Sequence, residues 1–579
     1  MIAGGAVRFL IPAVTLTALA GGVLAAPAHA DASPASWPSD HRSGVCVDTP
    51  LRLTFTQPPV PGSSGAITVH RADGSVADRL DLADPADTLK NIGGALSDSG
   101  QPHEFRYSPV LVTGDTATIT PHHELDPART YYVTVDPGVF VGFPGITDPR
   151  AWRFRTRPAT PPGDHHFVVA ADGSGDFCTV QGAIDAVPAG NTHTVRIDVR
   201  PGTYTEIDYI RPDKPHITIT GAGTDRTVIQ YANNDRLNGD TALGSGGPAD
   251  ACPRRVLDVP DVHNCWRALF GVDADDVTIS DLTLHNTTPY GGSQAEAFRG
   301  NGQRITLDRV TLTSFQDTLR LQGAGFVTDS MISGDVDFVW GTGTAFIQDS
   351  TPESTHAGYV TQIRNDATHN GDVFLRDRLT RAAGVADGSV YLGRIQTDRF
   401  PYSQAVYLDT AMDSHIVPVG WQITPDDCAA APDLADWEYH STNPLGAPVD
   451  TSGRLPCARQ LTDATAARWS DPGFVLGGWV PTTVNADPAG DGRHWHVRWT
   501  ATPGHSAADT IVACRLGSPV PPCWPLAATG TTADVGAATV GLPPLPGRYM
   551  FRYVTRSGAV LATSAPVVVP TVSHRPVSG

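Results

Sequence analysis

Between residues 277 and 380 short apolar runs recur, each carrying an aspartate or arginine at its end. They read "VTISDLTL" (277–284), "ITLDRVTL" (305–312), "GFVTDSMI" (325–332), "AFIQDS" (345–350) and "VFLRDRLT" (373–380). Aligning Asp281, Arg309, Asp329, Asp349 and Asp377 gives steps of 28, 20, 20 and 28 residues. A strand-and-turn unit of that length, with no helical stretch between copies, cannot close a core alone. It must stack on its neighbours, which makes a β-solenoid. Each coil then buries an inward row of Val, Ile, Leu and Phe, and the longer steps mark coils with loop insertions.

The same repeat brings two carboxylates together. Asp317 follows Phe315-Gln316, and Asp337 precedes Phe338-Val339-Trp340, 20 residues later. Equivalent positions on adjacent coils of a parallel solenoid stack about 4.7–4.9 Å apart. Gln294 lies 22 residues before Gln316, so Gln294, Gln316-Asp317 and Asp337 fall on three successive coils at one sheet edge. Two carboxylates this close cannot both ionise cheaply, and one keeps its proton near neutral pH. Phe315, Phe338 and Trp340 lower the local dielectric and reinforce this. One aspartate is then an acid and the other a nucleophile or base, while two glutamine amides supply uncharged N–H donors for an oxyanion. These are the parts for attack on an acyl carbon. The competing reading is that aspartates after strands bond local N–H groups in turns; Asp281 and Asp329 are expected to be of that kind.

At 579 residues the chain exceeds one ordinary core. Residues 31–158 alternate apolar and polar in short runs ("LRLTFTQ", "AITVHRA", "YYVTVDP", "AWRFRTR") separated by turn clusters, an antiparallel β-sandwich pattern that resembles bacterial Ig-like modules. "RPATPPGD" (157–164) is a Pro-rich linker. Residues 164–481 hold the solenoid, and 482–579 read as a second small sandwich. There Trp495 and Trp499 are expected to fill the core, with carbohydrate binding as the alternative. Residues 1–30 read as a secretory signal peptide: Arg8, the apolar "FLIPAVTLTALAGGVL" and the Ala28-His29-Ala30 cleavage site. No later segment is long and apolar enough to span a bilayer, so a secreted, extracellular protein without a membrane span is expected. Export makes the eight cysteines disulfide candidates. The pairs suggested by proximity are Cys514–Cys523, Cys252–Cys265 and Cys428–Cys457, leaving Cys46–Cys178 to tie the N-terminal module to the next domain. The net charge of −19 argues against nucleic acid. A polyacid substrate is easier to bind with its charges masked as esters.

The motifs, taken in order, resemble the pectin methylesterase (pectinesterase) family. They run from "VAADGSGDFCTVQGAIDAVP" (169–188) through "RPGTYTE" (200–206), "QAEAF" (294–298), "FQDTL" (315–319) and "VDFVWG" (336–341) to "YLGR" (391–394), fading by about residue 480. The resemblance implies an all-β protein, with a right-handed parallel β-helix (pectin lyase-like) flanked by the two sandwiches. It implies Asp337 as nucleophile, Asp317 as general acid and later base, and Gln294 and Gln316 as oxyanion donors. Arg394 would hold the nucleophilic carboxylate ionised and oriented, a role that a fixed guanidinium can fill. Phe298, Phe315, Phe338, Trp340 and Tyr402 are the candidate substrate-binding aromatics. The partner is pectin or a related uronate polysaccharide, no metal or organic cofactor is needed, and a monomer is expected. The sequence departs from the family where Ile395-Gln396 replaces Pro-Trp, where Arg320 replaces an aromatic, and where Glu296 enters the QAVA pattern. These changes keep two alternatives open: the same apparatus acting on another acyl ester or thioester, and a non-catalytic glycan-binding β-helix.

Overall fold

Aliphatic and aromatic residues at alternate positions form the inward ladder of the central domain. Ile197, Ile219, Ile279, Leu307, Val327, Ile347, Phe374 and Tyr407 are register partners on successive strands, and each is 1% exposed or less. Burying such a side chain stabilises by about 1.5–3 kcal/mol, so the ladder is the main cohesive element of the coil stack. In this computed structural model the described residues are 33–97, 100–159, 165–239, 265–491, 494–502, 504–516, 523–530, 535–542, 545–558, 560–564 and 566–569. The ladder belongs to an 11-stranded sheet, facing a 14-stranded one, with parallel pairing between successive coils. The central domain is a parallel β-helix. The 20-residue step is literal in the register, with Ile305 opposite Gly325 and Ala324 opposite Thr344.

Between the two sheets each coil turns on one residue in the left-handed region. The row is Asp281 (φ 57°), Arg309 (53°), Asp329 (48°), Asp349 (50°), Arg376 (56°), Asp409 (50°) and His440 (50°). Asp tolerates this conformation and Arg does so less readily. The arginines are held by ion pairs to the neighbouring coil, Arg309 to Asp281 at 2.8 Å and Arg376 to Asp349 at 2.7 Å, because stacked positions reward opposite charge. The row corrects the sequence alignment at one place: its member is Arg376, not Asp377, since that coil steps by 27 residues. Asp377 points inward, 0% exposed, where its Oδ1 accepts from the Ser350 N–H at 2.6 Å. Asp281, expected to bond local N–H groups, accepts instead from the Arg309 guanidinium of the next coil.

Stacking leaves no room for side chains where coils cross closely. Gly341 has φ 150°, and a Cβ there would meet the Leu321 carbonyl oxygen at 1.8 Å. Gly341→Ala is expected to destabilise the central domain by about 3 kcal/mol or more, read as a lowered thermal unfolding midpoint.

Residues 35–156 form a four-stranded and a five-stranded sheet around a core that includes Leu51, Val133, Trp152 and Phe154. One strand pair, Arg42–Val45 with Arg153–Thr156, is parallel and the rest antiparallel. Residues 483–569 form a three-stranded and a five-stranded sheet whose core contains Trp495, Trp499, Tyr549 and Phe551. Both tryptophans are therefore packing residues. This module docks on the β-helix through Asn485 to Thr328 at 3.1 Å and Arg498 to Asp349 at 3.1 Å. Disulfides join Cys46–Cys178, Cys428–Cys457 and Cys514–Cys523. The Cys252–Cys265 pairing involves Cys252, which lies outside the described residues.

Candidate active site

Two short strands of the second sheet, Phe298–Gly300 and Leu319–Leu321, and the longer Met331–Gly341 set the site. Phe298 pairs with Leu319 and Leu319 with Val339, and Gln316 bridges to Val336. Asp317 and Asp337 are thus stacked neighbours, one coil apart. Both adopt left-handed backbone, φ 66° and 53°. Asp337 is swung to a cleft of about 390 Å³ while the adjoining Phe338 stays in the core. Gln294, Gln316, Asp317, Asp337, Trp340 and Arg394 all line this cleft.

The two aspartates are held differently. Asp337 is 3% exposed and its carboxylate receives a fork from Arg394, Nε to Oδ1 at 2.8 Å and Nη2 to Oδ2 at 2.5 Å. Arg394 is itself fixed over the Tyr359 ring at 4.7 Å. Burial raises the Asp337 pKa, and the Arg394 hydrogen bond and charge oppose the rise. Asp317 is 6% exposed and accepts a bond from Arg267 Nη2 at 2.6 Å. Burial pushes its pKa up to about 8; Arg267 opposes this, while Glu296 and Asp337 add to it. Of the two, Asp317 holds its proton more firmly and Asp337 has the better support for a negative charge. Two stacked carboxyl groups held this differently, with Gln294 and Gln316 lining the same cleft, are equipped for nucleophilic attack, proton donation and oxyanion binding.

The aromatic expectations need correction. Phe298 and Phe338 are both 0% exposed and belong to the interior core, so neither can touch a substrate. Each begins or continues the inward-facing alternation of its strand. Arg320 does not replace a sugar-contacting aromatic either: it is 0% exposed and packs beneath Trp340, 4.4 Å from the ring. Tyr402 is 41% exposed, lies outside the residues lining the cleft, and contributes its carbonyl to Asn365. Phe315 is half-buried beside Tyr290 and is also not part of the lining. Trp340 is, together with Ile395 and Gln396.

Sequence reasoning missed Arg267, Tyr359, Gln362, Arg364, Arg399, Gln422 and Thr424, which complete the lining. Arg267 had a readable mark, a lone charge inside the apolar run "CWRALF"; the others have none. Among the described residues, the one group of His, Cys, Asp or Glu donors close enough to share an ion is Cys46, Asp48 and Cys178, and its two sulfurs form a disulfide.

Comparison with known proteins agrees with this architecture. The Pectinesterase family model matches residues 166–248 and 258–477, more than half of the chain, and a Bacterial Ig-like domain model matches residues 33–156. Pectinesterase 31 of Arabidopsis thaliana is 30% identical over 314 residues, covering 53% of this chain and 91% of the relative. Among solved structures, pectin methylesterase from carrot is 26% identical, with a TM-score of 0.46, covering 55% of this chain and 95% of that one. Pectin methylesterase PemA from Erwinia chrysanthemi is 25% identical, with a TM-score of 0.43, covering 56% and 99%. With an intact paired-carboxylate cleft on a parallel β-helix and a family match along that whole domain, the chain belongs to the pectinesterase family and is a carbohydrate esterase.

Proposed function

We propose that this protein hydrolyses methyl esters of galacturonic acid in pectin and releases methanol, using Asp337 as nucleophile. The observation that carries the reading is the Arg394 fork on Asp337, one coil from Asp317. Asp337 attacks the C6 ester carbonyl, and the negative charge moves to the carbonyl oxygen, where the Gln294 and Gln316 amides donate to it. Collapse breaks the bond to the methoxy group, Asp317 gives that oxygen its proton, and methanol leaves. The resulting anhydride joins the uronate to Asp337. Asp317, now ionised, takes a proton from water as the water attacks. The uronate leaves, with Asp337 a carboxylate and Asp317 protonated as at the start.

The Pectinesterase family match and the related Pectinesterase 31 support pectin as substrate. The alternative of another acyl ester or thioester drew on Gln396 and Arg320. Gln396 remains in the cleft, whereas buried Arg320 does not line it. The test is methanol release from highly methylated pectin run beside simple acyl esters and thioesters. Methanol and new carboxylates are expected in equal amounts from pectin; turnover of the simple substrates alone defeats the reading. We further propose secretion through residues 1–30, supported by three disulfides, which persist in oxidising compartments. Among the described residues no helix is long and apolar enough to cross a membrane.

A further inference from the structure

We propose that Glu296 and Arg267 form a buried, charge-neutral pair that fixes Asp317 in place and keeps it a proton donor, a role that rests on the reading of Asp317 given above. The three residues sit on successive coils. Arg267 precedes the strand Phe270–Val272, Glu296 precedes Phe298–Gly300 and Asp317 precedes Leu319–Leu321; Phe270 pairs with Phe298, and Phe298 with Leu319. Arg267 is 3% exposed and Glu296 0%. Arg267 Nε lies 2.9 Å from both Glu296 carboxylate oxygens. Its Nη2 donates to Asp317 Oδ2 at 2.6 Å and also lies 2.9 Å from Glu296 Oε1.

The arrangement resolves a conflict. A general acid must be located, and a guanidinium locates a carboxyl well. A guanidinium also favours the carboxylate and strips the proton the acid has to deliver. Glu296 takes up the charge of Arg267 and leaves its N–H geometry. With Oδ2 engaged by Arg267, Oδ1 is left to carry the proton. The other charges facing this group are Asp337 with its partner Arg394, Arg364 in the cleft, Asp235 at 3.4 Å from Arg267, and Arg320 at 3.8 Å from Glu296. Glu296 is outside the cleft lining and fully buried, so it is a positioning residue rather than a catalytic one.

The test is the pH profile of methanol release by wild type, Glu296→Gln, Arg267→Gln, the double variant Arg267→Met/Glu296→Leu and Asp317→Asn, with folding checked by circular dichroism. Glu296→Gln removes the bidentate counter-charge of Arg267 and leaves the more distant Asp235 at 3.4 Å, so the alkaline limb of kcat/KM is expected to fall by about 1–3 pH units. Arg267→Gln leaves the Glu296 charge, so the limb is expected to rise. The double variant removes both charges and the locating bond. Its limb is expected near the wild-type position, with kcat lowered about tenfold or more and KM little changed. Limbs that stay fixed in both single variants, or move in the same direction, overturn the proposal. If the single variants do not fold, a double variant with wild-type kcat overturns it. Wild-type turnover by Asp317→Asn would instead remove the underlying assignment of Asp317.

Discussion

Asp337→Asn is expected to lower methanol release by a factor on the order of 10⁴ or more while leaving the fold intact. Loss of a covalent nucleophile from a site that acts as a unit has effects of that size. The amide has the shape of the carboxylate, and asparagine, like aspartate, accepts the left-handed backbone found here at φ 53°. The substitution therefore disturbs charge rather than geometry. Arg394 loses its anion, but its side chain is 38% exposed and keeps the Tyr359 ring, so solvent screens much of the loss. Unchanged circular dichroism with turnover within tenfold of wild type would show that another group makes the bond to the acyl carbon.

The placement of this pair was readable because the solenoid turns sequence distance into spatial distance. Twenty residues is one coil, and the register of Gln316 with Val336 preserves that step. The same rule failed where a coil was not of constant length. The 27-residue step moved the turn position from Asp377 to Arg376. It failed again for Phe338, because being adjacent in sequence to a cleft residue means facing the other way on a strand. Arg267 was harder still. It reaches Asp317 across 50 residues, two coils away, so the one-coil step that joins Asp317 to Asp337 does not connect them. What marked it was burial of charge in an apolar run, a cue that signals a partner without naming it. Glu296 carried the same cue, and the two resolve each other.

Asp317→Asn is the complementary loss, expected to lower methanol release by about 10²–10⁴-fold, the range that general acid–base catalysis contributes. Its sharper signature is in pH dependence. In the wild type, burial raises the Asp317 pKa to about 8. The group is protonated below that value and ionised above it, so a step that needs its proton proceeds at neutral pH and is lost as pH rises through about 8. Asparagine has no proton to lose in this range. The residual rate of the variant is therefore expected to be lower at every pH and to show no decline where the wild type declines. The acid limb, which follows protonation of Asp337, is expected to persist, because Arg394 still supports that carboxylate. An alkaline limb that survives unchanged in Asp317→Asn would assign it to another group, and the acid role would then have to leave Asp317.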